Sequence, residues 1–164
     1  SKVWGTMTPA IIVATNAKIA FRLKQYEHDT TASACGLEPV EKLSLDPARV
    51  FKSLIFETHK GFAVAALPVT HELDLKACTR IIGEKARMAN SADAERISGY
   101  PIGGISPLEH RHQLSLVIDA SAPFFDSIFV SADRWSLEME LAAHDLARLT
   151  AARFTTLKKT HHGA

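Results

Sequence analysis

A lysine stands in the middle of the apolar run Val50-Phe51-Lys52-Ser53-Leu54-Ile55-Phe56-Glu57. The run predicts a strand from Val50 to Glu57, and strand side chains alternate between two faces. Lys52 then shares a face with Val50, Leu54 and Phe56, while the opposite face, ending at Glu57, reads as partly solvated. A lysine on the more apolar face must reach water along its stem, meet an anion, or lose its proton. The second candidate is Gly103-Gly104-Ile105-Ser106-Pro107. Adjacent glycines permit positive φ and close backbone approach, so their N–H groups can converge on an anion or a developing oxyanion. A tight turn between a helix and a strand uses the same residues.

Other reactive groups form weaker patterns. Eight histidines are present, yet His110-Arg111-His112 lacks a third ligand and His71-Glu72 lacks a second histidine. A catalytic zinc needs three protein ligands, so no metal and no other cofactor is expected, and His110-Arg111-His112 reads as a solvated or RNA-facing edge. No G-x-S-x-G supports a serine triad. Cys35 and Cys78 are far apart and read as free thiols of a reducing cytoplasm, and nothing near Cys35 activates it strongly. Tyr26-Glu27-His28-Asp29 places four polar-tipped side chains at a strand end, which suits ligand contacts and a plain solvated turn alike.

These residues need elements to hold them. Thr8 caps a first helix that opens at Pro9, runs to about Lys18 and carries Ile11, Ile12 and Ile19. Phe21 to Tyr26 alternates as a half-buried strand, and a short helix fits Glu38 to Leu45 before a turn at Asp46-Pro47. Val50–Glu57 and Phe62–Val69, joined by Thr58-His59-Lys60-Gly61, predict a β-hairpin. Helices follow at Leu73–Ile82, stopped by Gly83, and at Ala92–Ile97, capped by Ser91 and closed by Gly99. Strands are expected at Leu114–Asp119, Ser127–Ser131 and Leu137–Glu140, and a last helix at Ala142–Ala152. Mixed helices and strands with hairpins indicate an α+β fold with much antiparallel pairing.

Composition sets the outer limits. The chain has 164 residues, 46% hydrophobic and 23% charged, which suits a globular protein and excludes a disordered tail, a collagen and a coiled coil. One domain is expected over residues 7–157, with residues 1–6 and 158–164 as loose ends. No apolar run approaches the ~18 residues of a membrane helix, so no membrane partner is expected. Nineteen Lys and Arg against eighteen Asp and Glu leave a formal charge of +1. A phosphate-gripping protein usually carries a larger basic excess, so any nucleic-acid contact must be local or supported by a partner, and DNA is not an expected ligand.

Met7-Thr8-Pro9-Ala10, Tyr26-Glu27-His28-Asp29, the segment from Asp46 to Leu54, the loop Gly99-Tyr100-Pro101-Ile102-Gly103-Gly104-Ile105-Ser106-Pro107-Leu108, and Ile128-Phe129-Val130-Ser131 occur in that order. In this they resemble the bacterial YbaK proteins, which are Cys-tRNA(Pro) deacylases related to the editing domain of some prolyl-tRNA synthetases. The likeness runs from about Met7 to Phe154. It implies a mixed, largely antiparallel sheet curled into a partial barrel with flanking helices. It implies trans-editing in the cytoplasm: cleavage of the ester joining cysteine to the 3′ end of tRNA(Pro), with prolyl-tRNA synthetase as partner. A synthetase pocket separates near-isosteres poorly, which is why a second site is needed.

The resemblance also assigns roles. Lys52 would hold the RNA terminus, Gly103 and Gly104 would steady the carbonyl oxyanion, and Tyr26 and Ser131 would orient the aminoacyl group or the adenosine. Ser106 and Pro107 belong to the same glycine loop. The substrate's own thiol would attack its ester and leave as a cyclic thiolactone, as intramolecular geometry favours; a water nucleophile is the alternative. The chain departs from the family at Ala132-Asp133-Arg134-Trp135 and at Glu109-His110-Arg111-His112, where the usual lysines near the RNA entrance are replaced and carboxylates appear. Two further readings therefore stand beside the first. One is a deacylase for another mischarged tRNA, such as Ala-tRNA(Pro). The other is a non-catalytic module that binds tRNA ends or a synthetase.

Overall fold

The computed structural model describes residues 7–29, 37–133 and 136–160. The first helix, α1 (Pro9–Asn16), starts where the side-chain oxygen of Thr8 accepts the Ile11 N–H at 3.3 Å. It buries Ala10, Ile11 and Ala14; Ile12, expected on the same stripe, falls outside this arc and is exposed. Strand β1 (Phe21–Gln25) and helix α2 (Leu37–Leu43) follow. A 3-10 turn at Pro47–Arg49, capped by Asp46, leads into β2 (Phe51–Thr58).

β2 and β3 (Gly61–Pro68) form the expected hairpin, in register from Phe51–Pro68 to Thr58–Gly61. Thr58 Oγ1 accepts the Lys60 N–H at 3.0 Å, and Gly61 turns the chain at φ 117°, a conformation that needs glycine. Helix α3 (Leu75–Ile82) is capped by Asp74 and ended by Gly83 at φ 85°. A two-residue strand β4 (Arg87–Met88) precedes α4 (Ser91–Ser98), which ends at Gly99 as expected. Its N-cap is Asn90, not Ser91: Asn90 Oδ1 accepts the Asp93 N–H at 2.8 Å. Strands β5 (Ser115–Asp119), β6 (Ile128–Asp133) and β7 (Leu137–Leu141), helix α5 (Ala143–Thr150) and strand β8 (Arg153–Thr155) complete the fold.

The strands divide into two sheets, one ordered β1-β7-β6 and one ordered β4-β2-β3-β5-β8. The three-stranded sheet and the β4-β2-β3 pairings are antiparallel, while β3-β5 and β5-β8 are parallel. This is a mixed α+β architecture. The pairing yields two sheets rather than one curled sheet, and no ring of strands closes among the described residues. The sheets meet at a single parallel bridge, Val50–Phe129.

Arg49 fastens that junction. Its guanidinium donates to the Ser127 carbonyl at 2.9 Å, to Ser127 Oγ at 2.6 Å and to Glu140 Oε2 at 3.1 Å, and lies 4.9 Å from the Phe129 ring centre. A fork of charge-assisted bonds plus a cation–π contact fixes where β2 begins relative to β6.

The main core lies between the sheets and their helices, with Phe51, Ile55, Val64, Ile118, Ile128 and Met139 at its centre. A second core, with Phe56, Leu67, Ala77 and Cys78, sits beneath α3. This reverses the expected polarity of β2. Phe51, Ser53 and Ile55 are all nearly fully buried, so the face ending at Glu57 is the core face. Only its last residue reaches solvent, where Glu57 meets Arg87 at 2.9 Å. The Lys52 face is apolar at Phe56 but opens toward Leu54 and Lys52.

The C-terminal segment is held further along than its composition suggests. The buried carboxylate of Asp119 accepts the amides of Leu157 at 2.7 Å, Lys158 at 3.3 Å and Ser121 at 3.0 Å. Lys158 bridges to Leu73, and the Lys159 amide donates to Glu72 O at 2.9 Å. Lys158 and Lys159, expected in a loose end, are therefore tied to the fold.

Candidate active site

Beyond the Val50–Phe129 bridge the two sheets part. Among the described residues β4 pairs with β2 only at Phe56 and Glu57, and the first half of β2 has no neighbour strand on that side. The wedge between this open edge and the β6-β7 hairpin is a cavity of about 300 Å³. Four consecutive β2 residues, Phe51 to Leu54, line it. Ile102, Gly103 and Ile105 of the glycine loop form another wall, and Leu37 and Pro39 of α2 a third. Ser131 of β6 and Glu138 of β7 face each other across paired strands at its back, and Tyr26 stands at the end of β1.

Four of the seven residues singled out from sequence thus meet in one cavity: Tyr26, Lys52, Gly103 and Ser131. Lys52 is half-buried, and burial pushes its pKa down against an opposing pull from Glu72. Among the described residues no carboxylate comes within ion-pair distance of its ammonium. Ser131 Oγ donates to the Gly104 carbonyl at 3.3 Å, joining strand and loop.

The remaining three residues lie behind the wall. The Gly104 amide donates to the Pro101 carbonyl at 3.0 Å, closing a β-turn whose third residue, Gly103, has φ 84°. A turn with positive φ at that position favours glycine. The expected convergence of both amides on one anion is therefore not what this turn offers: Gly103 lines the cavity, and the Gly104 N–H is engaged within the loop. Ser106 is fully buried and its Oγ accepts the Leu108 amide at 3.2 Å. It and Pro107 brace the loop rather than face the cavity.

Two polar wall residues, Ser53 and Glu138, were not singled out from sequence. Ser53 is buried, and among the described residues its hydroxyl has no hydrogen-bond partner. Glu138 is 4% exposed, and burial raises its pKa to about 8. Glu138 lies opposite Ser131 in the β6–β7 pairing and so shares its face, a relation that local sequence patterns do not show.

The strand-end cluster after β1 is structural. Glu38 of α2 accepts the Asp29 amide at 2.8 Å and pairs with His28 Nδ1 at 2.5 Å. Burial raises the Glu38 pKa, but these two partners outweigh it and hold the carboxyl below its usual range. The contacts tie α2 to the end of β1 and so set the mouth of the cavity.

Other candidate chemistry falls away from the site. Cys78 is fully buried with its thiol pushed up to about 11, and Cys35 lies outside the described residues. Arg111 and His112 are exposed, but His110 does not share their solvated edge: burial lowers its pKa, and among the described residues its Nε2 has no partner. Among the described residues no three His, Cys, Asp or Glu side chains cluster as metal ligands, and no helix is long and apolar enough to cross a membrane.

The α+β fold recurs among solved structures. A solved structure described as a candidate trans-editing enzyme for prolyl-tRNA synthetase matches 94% of this chain and all of its own, with a TM-score of 0.79 at 21% identity. The family model for the aminoacyl-tRNA editing domain matches residues 32–149, and the chain belongs to that family. A relative from Enterococcus faecalis, named as a candidate Cys-tRNA(Pro)/Cys-tRNA(Cys) deacylase, EbsC, is 32% identical over 137 residues, covering 82% of this chain and 84% of the relative. YwhH of Bacillus subtilis is 23% identical over 124 residues, covering 75% and 79%.

Proposed function

We propose that the protein is a trans-editing deacylase that cleaves the ester of mischarged Cys-tRNA(Pro) in the cytoplasm, beside prolyl-tRNA synthetase. The observation that carries this reading is the wedge cavity, where Lys52, Tyr26, Gly103 and Ser131 arrive from four separate parts of an editing-family chain. The E. faecalis relative's name supports cysteine as the amino acid.

Lys52 holds a phosphate or ribose oxygen of the 3′ terminus. Its charge is costly to keep half-buried without a partner, so it strongly favours an anionic one. The Gly103 amide and the open edge of β2 offer main-chain donors toward the carbonyl where negative charge develops. The described lining contributes a cation, hydroxyls and a carboxyl, which suits a nucleophile brought by the substrate. The cysteinyl thiol attacks its own ester carbonyl; the C–S bond forms, the C–O bond to the ribose breaks, and the thiol proton passes to the leaving 3′ oxygen. The products are a thiolactone and free tRNA. A chain of net charge +1 holds tRNA weakly by itself, which suits presentation by the synthetase.

The test is incubation with Cys-, Ala- and Pro-tRNA(Pro), repeated with Lys52→Ala. Release of cysteine as thiolactone, lost in the variant, is the expected outcome. Free cysteine as first product moves the nucleophile to water, release of alanine alone moves the substrate, and persistence of both mischarged tRNAs at the spontaneous rate overturns the deacylase reading.

A further inference from the structure

The cavity holds two opposite charge-bearing groups that do not meet. Lys52 enters from β2 and Glu138 from β7, and among the described residues neither makes a side-chain hydrogen bond or an ion pair. Glu138 is the only carboxyl in the described lining, with apolar walls from Val50, Leu54, Val69 and Ile105. Lys24, its register partner on β1, acts on Glu140, which is bound to Arg49 and Ser127. Its other register partner, Ser131, reaches to Gly104.

A carboxyl buried without a partner is costly, and such groups gather at ligand sites. Here the ligand's chemistry can be read from the pair. Cation and carboxyl lining one cavity without pairing to each other fit a ligand that carries both signs. The end of an aminoacyl-tRNA carries both: a phosphate, and one α-amino group beside the ester. Lys52 takes the anion and repels an ammonium, which leaves Glu138 for the amine.

We propose that Glu138 receives the α-amino group of the aminoacyl ester and restricts the site to acyl groups whose amine is free. The proposal rests on the editing reading above. Its consequence is selectivity: N-blocked and peptidyl esters lack the group that Glu138 needs, so tRNA carrying a growing chain is spared. The protonation states suit this role, since Glu138 at about 8 is matched to an α-amino group near 7.7–8.0. The pair can hold one shared proton and enter an apolar cavity with no net charge.

The experiment compares Cys-tRNA(Pro) and Ala-tRNA(Pro) with their α-hydroxyacyl counterparts, in which –OH replaces –NH3+ at equal size, and with their N-acetyl forms. Rates are corrected for spontaneous hydrolysis. The wild-type protein is expected to lose at least about tenfold in kcat/KM on the hydroxyacyl and N-acetyl substrates, the low end for losing one hydrogen bond to a charged group. Glu138→Gln is expected to bring the aminoacyl substrate down to the hydroxyacyl rate while leaving the hydroxyacyl rate within about twofold. A merely structural role would lower all rates together, and that result overturns the proposal. So does a wild-type protein that cleaves hydroxyacyl and aminoacyl esters equally, a comparison that stands even if the variant misfolds. In both cases the deacylase reading survives. If the wild type cleaves none of the substrates, that reading falls and this proposal falls with it.

Discussion

The hydroxyl of Ser131 on β6 and the carbonyl of Gly104 in the glycine turn are joined by a 3.3 Å hydrogen bond, so the back wall and the side wall of the cavity are one unit. A neutral hydrogen bond contributes about 0.5–1.5 kcal/mol net. Ser131→Ala is therefore expected to lower stability by about 1 kcal/mol in urea denaturation. It should lower kcat/KM about two- to tenfold on the same energy scale. If the variant keeps full activity, the bond does not position the turn.

The two glycines should respond differently to alanine. Gly103 sits at φ 84°, where an L side chain costs roughly 1–2 kcal/mol, and it faces the cavity. Gly104 has no positive φ, and its amide already closes the turn to Pro101. Gly103→Ala is expected to lose stability and most activity, and Gly104→Ala to lose less of both. Parallel thermal unfolding and deacylation assays check this. An equal loss would show that both amides face the substrate after all.

That distinction marks where the sequence stops being legible. The β2–β3 hairpin and the ends of α3 and α4 follow from local patterns, because a glycine at φ near 85° after a helix needs no tertiary help. Lys52 was conspicuous because a cation in an apolar run conflicts with burial. The conflict located the site, although the more buried face of β2 proved to be the one carrying Ser53 and Ile55. Glu138 was hidden by the opposite effect. Leu137-Glu138-Met139-Glu140-Leu141 alternates like any half-solvated strand, and only the placement of β7 between β1 and β6, under the cavity, buries Glu138 while Glu140 stays partly exposed. The strands β4 and β8, of two and three residues, are too short to leave a period. The joint between the two sheets is fastened by the Arg49 fork, whose partners Ser127 and Glu140 are remote in sequence.

Lys52 keeps a half-buried charge at a cost to stability. Burial disfavours its charged form, so the folded protein gains stability as pH rises through the lowered pKa. Lys52→Met keeps the stem and removes the charge. The expected result is a melting temperature equal to or above that of the wild type, with deacylation reduced by about 100-fold or more, the scale for removing a group that organises transition-state charge. A variant that is both inactive and clearly less stable would assign Lys52 a structural role instead.

Glu138 should leave a signature in the pH dependence of stability. Its pKa is raised by burial to about 8 in the folded protein, from 4.5 as an unperturbed carboxyl. Between these values the unfolded chain has released the proton and the folded chain keeps it, so stability falls as pH rises, with a limiting slope of about 1.4 kcal/mol per pH unit. Above about pH 8 both states are ionised and the contribution is flat. Glu138→Gln cannot ionise and removes this slope. Urea denaturation at pH 5, 6.5 and 8 is therefore expected to show the variant gaining on the wild type by a few kcal/mol over that range, in order of magnitude. A difference that stays constant with pH would mean that the carboxyl ionises normally in the fold, and is solvated rather than held in the dry end of the cavity.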